Sequence, residues 1–537
     1  MTPIESRIDT AFRAYGDQRS GMLSLVERLR SLERRTRDTS AKAKPTFDKR
    51  GQLLPRERLA RLIDPGTAFL ELGNMAGYCA EGEAPDSSVP GGGQITGIGF
   101  VSGVRCMIAA SDSAINAGAY VDAGSKKLLR AQDIALANRL PFIHLVESAG
   151  ANLRAYRVER FIRGGSLFFN LARLSAAGMP VITVVHGSST AGGAYMPGLS
   201  DYVVMVRQRA RAFLAGPPLL KAATGEIANE EDLGGADMHS IVSGLAEYVG
   251  EDDAHAIAIA RDVVDALGWA APQPHQGGPA PALDADELAG VMPLDVKTPV
   301  DMREIIARIV DESAWLPFKP DYGPATLCGH ARIDGMAIGI ITNNGPIDPN
   351  GATKAAQFIQ LCNQSQTPIL FMQNTTGFIV GRMSEEAGMI KHGSKMIQAL
   401  SNSSVPHITL YCGASFGAGN YGMCGQSFRP RFSFSWPNAR TAVMGGEQAA
   451  MTMEIVARKQ AERRGKPVDE AQLAAQKAEI IANFESQSSA FITSGLMLDD
   501  GIIDPRDTRA VLAFVLATIR EGRDRVVHPV QFGVARF

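Results

Sequence analysis

The chain has 537 residues, 54 of them basic and 56 acidic, for a formal charge of -2. That length outgrows one ordinary core and calls for two or more domains. Balanced charge excludes a global attraction to nucleic acid or to an anionic membrane, so any anionic ligand must be held locally.

The six cysteines, at 79, 106, 328, 362, 412 and 424, are scattered with no C-x-x-C pair. A zinc ribbon or a secreted disulfide framework is thereby disfavoured, and reduced, mostly buried thiols are expected. The N-terminus lacks the basic and apolar regions of a signal peptide, and Glu5 and Asp9 do not suit a transit peptide. No stretch approaches the roughly 20 apolar residues of a membrane helix. A cytoplasmic protein without membrane or nucleic-acid partners is expected.

Residues 5 to 65 carry helical periodicity (Leu25, Val26, Leu29, Leu32) among many charges and read as an N-terminal arm set apart from the chemistry. From Gly91 to Trp269, short apolar runs such as "PFIHLVES" and "PVITVVHG" alternate with helical patterns and Gly-rich turns, the rhythm of an α/β fold. The Pro/Gly-rich stretch 270–285 reads as a linker between a first domain, 1–269, and a second, 286–537.

The second half repeats the first. "PFIHLVESAG" runs nine residues from Pro141 to Gly150, and "PILFMQNTTG" nine from Pro368 to Gly377. Pro180 and Pro406 each lead an apolar strand that reaches a small-residue turn twelve residues on, at Gly192 and Ala418. The proline spacings are 39 and 38 residues, and four landmarks in matching order point to two copies of one fold.

Small residues after a strand let a ligand approach the backbone amides at a helix N-terminus, where unsatisfied donors favour a negative oxygen. Ala191, Gly192 and Gly193 in one half and Gly417, Ala418 and Gly419 in the other have the composition of oxyanion holes. The earlier turns at Ala149-Gly150 and Thr376-Gly377 are placed to add a second donor. Tight packing turns would look alike singly; two paired copies favour function. Twin holes suit a reaction whose two partners each pass through an oxyanion, a thioester enolate and a urea enolate.

The strings "GGGQITGIGFVSG", "GSSTAGGAYMPGLSDYVVMV", "FLAGPPLLKAATGE", "FMQNTTGFIVG", "GAGNYGMCG" and "WPNARTAVMGGEQAA", spread from Gly91 to Ala450, resemble the carboxyltransferase (β) subunits of biotin-dependent acyl-CoA carboxylases, in the methylcrotonyl-CoA and geranyl-CoA branch. The resemblance implies two tandem crotonase-like (ClpP/crotonase) domains that move CO2 from carboxybiotin to an acyl-CoA. Ala191, Gly192 and Gly193 would face the thioester oxygen, and Gly417, Ala418 and Gly419 the biotin oxygen, each donor contributing about 3 kcal/mol to the barrier. Further contacts are expected from Ala149, Gly150, Gly164, Gly165, Gly377 and Phe378, with Lys126 and Arg130 toward the CoA phosphates.

A Met-Lys-Met biotin site and a G-x-x-x-x-G-K-[ST] nucleotide loop are both missing from the sequence. Biotin, and the ATP that charges it, therefore fall to a biotin carboxylase/biotin carboxyl carrier α subunit. The family also implies a homo-oligomer, six copies forming the core of an alpha6beta6 complex, and no metal. Among other candidates, His144 and His186 read as core histidines satisfied by backbone. Lys126, Lys127 and Arg130, at the start of a helix, and Lys221 read either as contacts for the CoA phosphates or as a solvated helix face, Glu447 reads as a helix cap, and the segment 304–323 matches a family region of acyl-CoA contacts.

The segment "NLRAYRVERFIRGGSLFFNLARL" is shorter than in methylcrotonyl-type subunits and has Gly164-Gly165 in place of bulk. That resembles geranyl-CoA carboxylase subunits and implies a deeper acyl pocket, with 3-methylcrotonyl-CoA the alternative and propionyl-CoA third. Ala149 departs from the usual "SGG". A crotonase-like hydratase, a decarboxylase and a non-catalytic scaffold are the competing classes; the duplication disfavours the hydratase, intact turns in both halves disfavour the scaffold, and a decarboxylase would be recognised by dependence on sodium and membrane partners.

Overall fold

A computed structural model describes residues 1–150, 157–269, 277–465 and 467–530. Residues 270–276 of the expected linker and 152–156 of the segment after the first glycine turn lie outside the described residues. The chain divides into two compact units, one of Met1–Arg30, Gln276–Ser494 and Leu498–Val515, the other of Ser31–His275, Gly495–Met497 and Leu516–Phe537.

Strand β1 (Thr2–Pro3) belongs to the second of two sheets. The first sheet is built from β2 (Leu70–Leu72), β3 (Gln94–Val101), β4 (Val104–Ser111), β5 (Phe142–Ser148), β6 (Val181–Thr190), β7 (Tyr202–Val206), β8 (Arg211–Phe213) and β9 (Tyr248–Gly250). Its order is β2-β3-β4-β5-β6-β7-β9, with β8 paired to the end of β6. The second sheet adds β10 (Ala314–Pro317), β11 (Thr326–Ile333), β12 (Met336–Asn343), β13 (Ile369–Thr375), β14 (His407–Phe416), β15 (Phe432–Ser435) and β16 (Arg440–Ala442). It runs β1-β10-β11-β12-β13-β14-β15, with β16 paired to β14. This is the α/β, twice-repeated crotonase-like architecture that the resemblance implied.

The sequence dictates these elements locally. In each half an antiparallel hairpin comes first, turned at Ser102-Gly103 (φ 48 and 75) and at Asp334-Gly335 (φ 53 and 76), where both central residues are left-handed as a two-residue hairpin turn requires. The following strands are parallel, β4 to β7 and β12 to β15. Such strands are covered on both faces, which is why they read as unbroken apolar runs. Helices Asp122–Asn138 and Val158–Ala176 make the crossovers of the first half, and Pro349–Gln364 and Met389–Ser401 those of the second.

The repeat extends to an irregularity. Across β5 and β6, Val146 pairs with Val185 and then Ser148 with Ser189, so β6 carries two more residues than β5 over that step. Across β13 and β14, Gln373 pairs with Tyr411 and then Thr375 with Ser415, the same excess at the same rung. Both bulges lie just before the small-residue turns, the position in which a bulge re-aims a strand end toward a site.

Candidate active site

Each small-residue turn begins with a left-handed residue, Ala191 (φ 54) in the first half and Gly417 (φ 56) in the second. A short helical turn comes directly after it, Ala191–Ala194 in one case and Gly417–Gly422 in the other. The leading amides of such a turn have no acceptor within it and point outward from its N-terminus. In the first half the Ser189 hydroxyl donates to the Gly193 carbonyl at 2.8 Å and fixes the turn to its own strand. In the second, Asn420 donates to the Ser415 hydroxyl (2.7 Å), which donates to Gln373 (2.5 Å), tying the turn to β13.

The glycines are needed to different degrees. A methyl on Gly192 would meet only Phe168, at 3.5 Å, whereas one on Gly419 would meet the Gly377 Cα at 2.7 Å. The turns at Gly150 and Gly377 lie against the small-residue turns in both halves, with Cβ positions 3.2 Å from the Thr190 carbonyl and 3.4 Å from the Phe416 carbonyl. Their amides, expected as second donors, are engaged locally. Gly150 donates to the Ser148 hydroxyl (3.1 Å), Gly377 to the Thr375 hydroxyl (3.2 Å), and Ala149 to the Ala117 carbonyl (3.1 Å). What these glycines visibly provide is close approach of two backbones.

The structure brings Ala149, Gly150, Ala191, Gly192 and Gly193 to one end of the first sheet, at the ends of the adjacent strands β5 and β6. Gly164 and Gly165 lie in helix Val158–Ala176, whose Phe168 packs on Tyr195 (5.4 Å between ring centroids) beside the turn; a Cβ on either glycine would meet nothing within 4 Å. Lys126 is exposed on helix Asp122–Asn138 and pairs with Asp122 at 2.8 Å, with Arg130 one turn further on. Lys127 points inward instead: it donates to the Gln94 carbonyl at 2.7 Å, and burial brings its pKa down to about 8. In the second half Phe378 packs its ring beneath the turn, against Gly393 and Gly422. Glu447 pairs with Lys297 at 2.7 Å in the first turn of helix Gly446–Arg463.

A buried ionic cluster behind the first turn was not legible in the sequence. Arg58, 2% exposed, donates to Glu147 at 2.6 Å and to Asp253 at 3.1 Å. Ser113 (2.8 Å) and Gln52 (3.3 Å) also donate to the Glu147 carboxylate, and Gln52 to the His186 carbonyl at 3.1 Å. Burial, reinforced by the Arg58 charge, holds His186 below its ordinary range, so a neutral imidazole donates to Asp253 at 2.8 Å. Burial of Asp253 opposes ionisation, but the bond to His186, the Arg58 charge and the Leu53 amide outweigh it and keep the carboxylate low. His186 is therefore bonded through Nδ1 to a carboxylate, not to backbone, with its buried Nε2 unpartnered among the described residues, and the arm set apart by its sequence reaches the strand ends through Gln52 and Arg58. The one available signal was Glu147 itself, a charge inside an apolar strand.

Comparison with known proteins identifies the family. The carboxyl transferase domain family matches residues 47–529. The crystal structure of the β subunit of P. aeruginosa geranyl-CoA carboxylase superposes with a TM-score of 0.93 at 50% identity, covering 100% of both chains. A probable biotin-dependent acyl-coenzyme A carboxylase beta2 subunit of Mycobacterium tuberculosis is 48% identical over 527 residues, 97% of each chain. The biotin-dependent 3-methylcrotonyl-coenzyme A carboxylase beta1 subunit of the same organism is 46% identical over 475 residues, 87% of this chain and 88% of that one. With matched turns in both halves and likeness over its whole length, this chain belongs to the carboxyl transferase family, as a carboxyltransferase β subunit of the biotin-dependent acyl-CoA carboxylases.

Proposed function

We propose that the acyl-CoA is geranyl-CoA, carboxylated with the first turn at the thioester oxygen and the second at the biotin oxygen. The observation that carries the acyl assignment is the outer face of helix Val158–Ala176. Phe161 (69% exposed), Ile162 (68%) and Phe169 (62%) present apolar surface there, around two glycines whose Cβ positions are open. A long branched chain matches such a face, where apolar contact is favourable at about 25 cal/mol per Å². The 50% identity to a geranyl-CoA carboxylase β subunit supports the same reading. Relatives named for methylcrotonyl-CoA, 46% and 41% identical, make 3-methylcrotonyl-CoA the second reading.

The second turn fits a ureido oxygen, because its leading residues Gly417, Ala418 and Gly419 carry nothing larger than a methyl of their own, with Gly377 close behind. Carboxybiotin, carried by a biotin carboxylase/carrier α subunit that alone uses ATP, supplies the CO2 and a ring nitrogen able to take the acidic proton. The chain's own part is electrostatic. Amides at Ala191, Gly192 and Gly193 stabilise negative charge on the thioester oxygen, and those at Gly417, Ala418 and Gly419 do so at the biotin oxygen, with no reorganisation at the moment of reaction. Lys126 and Arg130 are the candidate phosphate contacts.

The test is to reconstitute the chain with its biotinylated partner and measure carboxylation of geranyl-CoA, 3-methylcrotonyl-CoA and propionyl-CoA. Geranyl-CoA is expected to give the highest kcat/KM, and a preference for propionyl-CoA would overturn the acyl assignment. Gly192→Val is expected to abolish acyl-CoA carboxylation and leave decarboxylation of preformed carboxybiotin enzyme, while Ala418→Val abolishes both. Equal loss of both partial reactions in two folded variants would refute one substrate per turn.

A further inference from the structure

The two halves hold the same bulge by different means. In the second half, residues 412–414 arch opposite Asn374, whose amide lies over the bare Cα of Gly413, and the neutral Asn438 side chain donates to the Cys412 carbonyl at 2.9 Å. In the first half, residues 186–188 arch opposite Glu147, whose carboxylate lies over the bare Cα of Gly187. Gln52 donates to the His186 carbonyl there, the counterpart of Cys412 in the repeat. A neutral amide on the strand therefore suffices for this fold, and the first half replaces it with a carboxylate buried against a guanidinium.

Burying that pair has a desolvation cost that the second half avoids, so fold stability alone gives no reason for it. The first arch leads directly into Ser189 and the turn at Ala191, and Ser189 closes onto Gly193. A carboxylate gripped at both oxygens, by Gln52 on one and by Arg58 and Ser113 on the other, fixes the arch more tightly than a single amide contact does.

We propose that Glu147, clamped by Arg58 and Gln52 of the N-terminal arm, is a positioning residue that sets the first turn for the thioester oxygen of the acyl-CoA. The inference rests on the assignment of that turn to the acyl-CoA. Because, among the described residues, the clamp has no ionic counterpart in the second half, its loss is expected to affect acyl-CoA carboxylation and not the biotin side.

The experiment uses the holoenzyme reconstituted with its biotinylated partner. The paired variant Arg58→Gln/Glu147→Gln removes both charges of the clamp and leaves the Asp253 carboxylate to its hydrogen bonds from His186 and Leu53. It is expected to lower kcat for acyl-CoA by about tenfold to a hundredfold, as a small misplacement of catalytic donors does, with KM little changed. Decarboxylation of carboxybiotin without acyl-CoA is expected to be unaltered. Unchanged kcat, or parallel loss of both partial reactions, would overturn the inference. Should the paired variant fail to assemble, Gln52→Ala and Ser113→Ala, each removing hydrogen bonding to the carboxylate without stranding a charge, decide the matter. A severalfold lower kcat supports the clamp and an unchanged one rejects it. Gly192→Val run alongside separates the two readings: if it spares acyl-CoA carboxylation, the turn assignment fails; if it behaves as expected while the clamp variants are silent, only the clamp fails.

Discussion

Ala191 holds a left-handed backbone that costs an alanine about 1–2 kcal/mol and a glycine almost nothing. Its counterpart Gly417 adopts the same conformation, so the fold demonstrably accepts a methyl at this point. Gly417→Ala is accordingly expected to give a folded, active chain that is about 1–2 kcal/mol less stable. Gly419→Ala, with the Gly377 backbone only 2.7 Å from the new methyl, is expected to cost about as much in stability by overpacking, and also to remove activity by displacing the turn. Chemical denaturation and the coupled carboxylation assay compare the two, and equal activity of both variants would contradict the ranking. Proline spacing was enough to align these turns from sequence. The shared conformation was not legible, since alanine carries no signal for a left-handed residue. Arg58 misled for the opposite reason: in an Arg-rich, periodic arm it has the appearance of a solvated charge, and its partners Glu147 and Asp253, 89 and 195 residues away, reveal it as buried.

At the scale of elements, the apolar strands and their glycine turns were readable because burial on both faces leaves an unbroken run. Helix Val158–Ala176 was readable only in part, through its two glycines. In an open helical position each glycine lowers stability by about 1 kcal/mol relative to alanine. Gly164→Ala and Gly165→Ala are therefore each expected to raise the denaturation midpoint, while Gly164→Phe lowers turnover of geranyl-CoA more than that of 3-methylcrotonyl-CoA. If the phenylalanine variant treats both substrates alike, this helix does not line the acyl site. The loop after helix Ala490–Gly495 supplies a pH-dependent element. Burial pushes the Asp499 carboxyl up to about 6, against hydrogen bonds from Ser435 and Ser494 that favour its charged form. Because the folded state binds this proton more tightly than the unfolded chain, the group's stabilisation is complete below about pH 4, the unfolded value, and is lost as pH rises through 6. Asp499→Asn is expected to flatten that decline, of the order of 3 kcal/mol, in denaturation series between pH 4 and 7. An unchanged slope would show that Asp499 does not titrate in that range.

For the whole molecule, the duplication was legible from matched spacings. Assembly surfaces were not, because exposure depends on how helices are covered. Val380 (85% exposed), Met383 (84%) and Ile390 (75%) crowd the segment after the second glycine turn. Apolar surface of this kind marks an interaction site. The chain is expected to sediment as a homo-oligomer, a hexamer in the proposed complex, and to fix no labelled bicarbonate with ATP until its biotinylated partner is added. A fully active monomer, or carboxylation by the chain alone, would contradict this.

The bulge shared by the two sheets bears on descent. A two-residue excess at one rung is a specific accident, and its presence at the same rung in both halves marks it as inherited from a single ancestral domain that was later copied. That ancestor already held its small-residue turn at the bulge, so the turn is older than the differences between the two halves. Glu147 with its arm clamp in one copy and Asn374 with Asn438 in the other differ, so at least one of the two arrangements arose after the copying. The lineage thus separates what both copies kept, a turn at a bulge, from what came to differ between them.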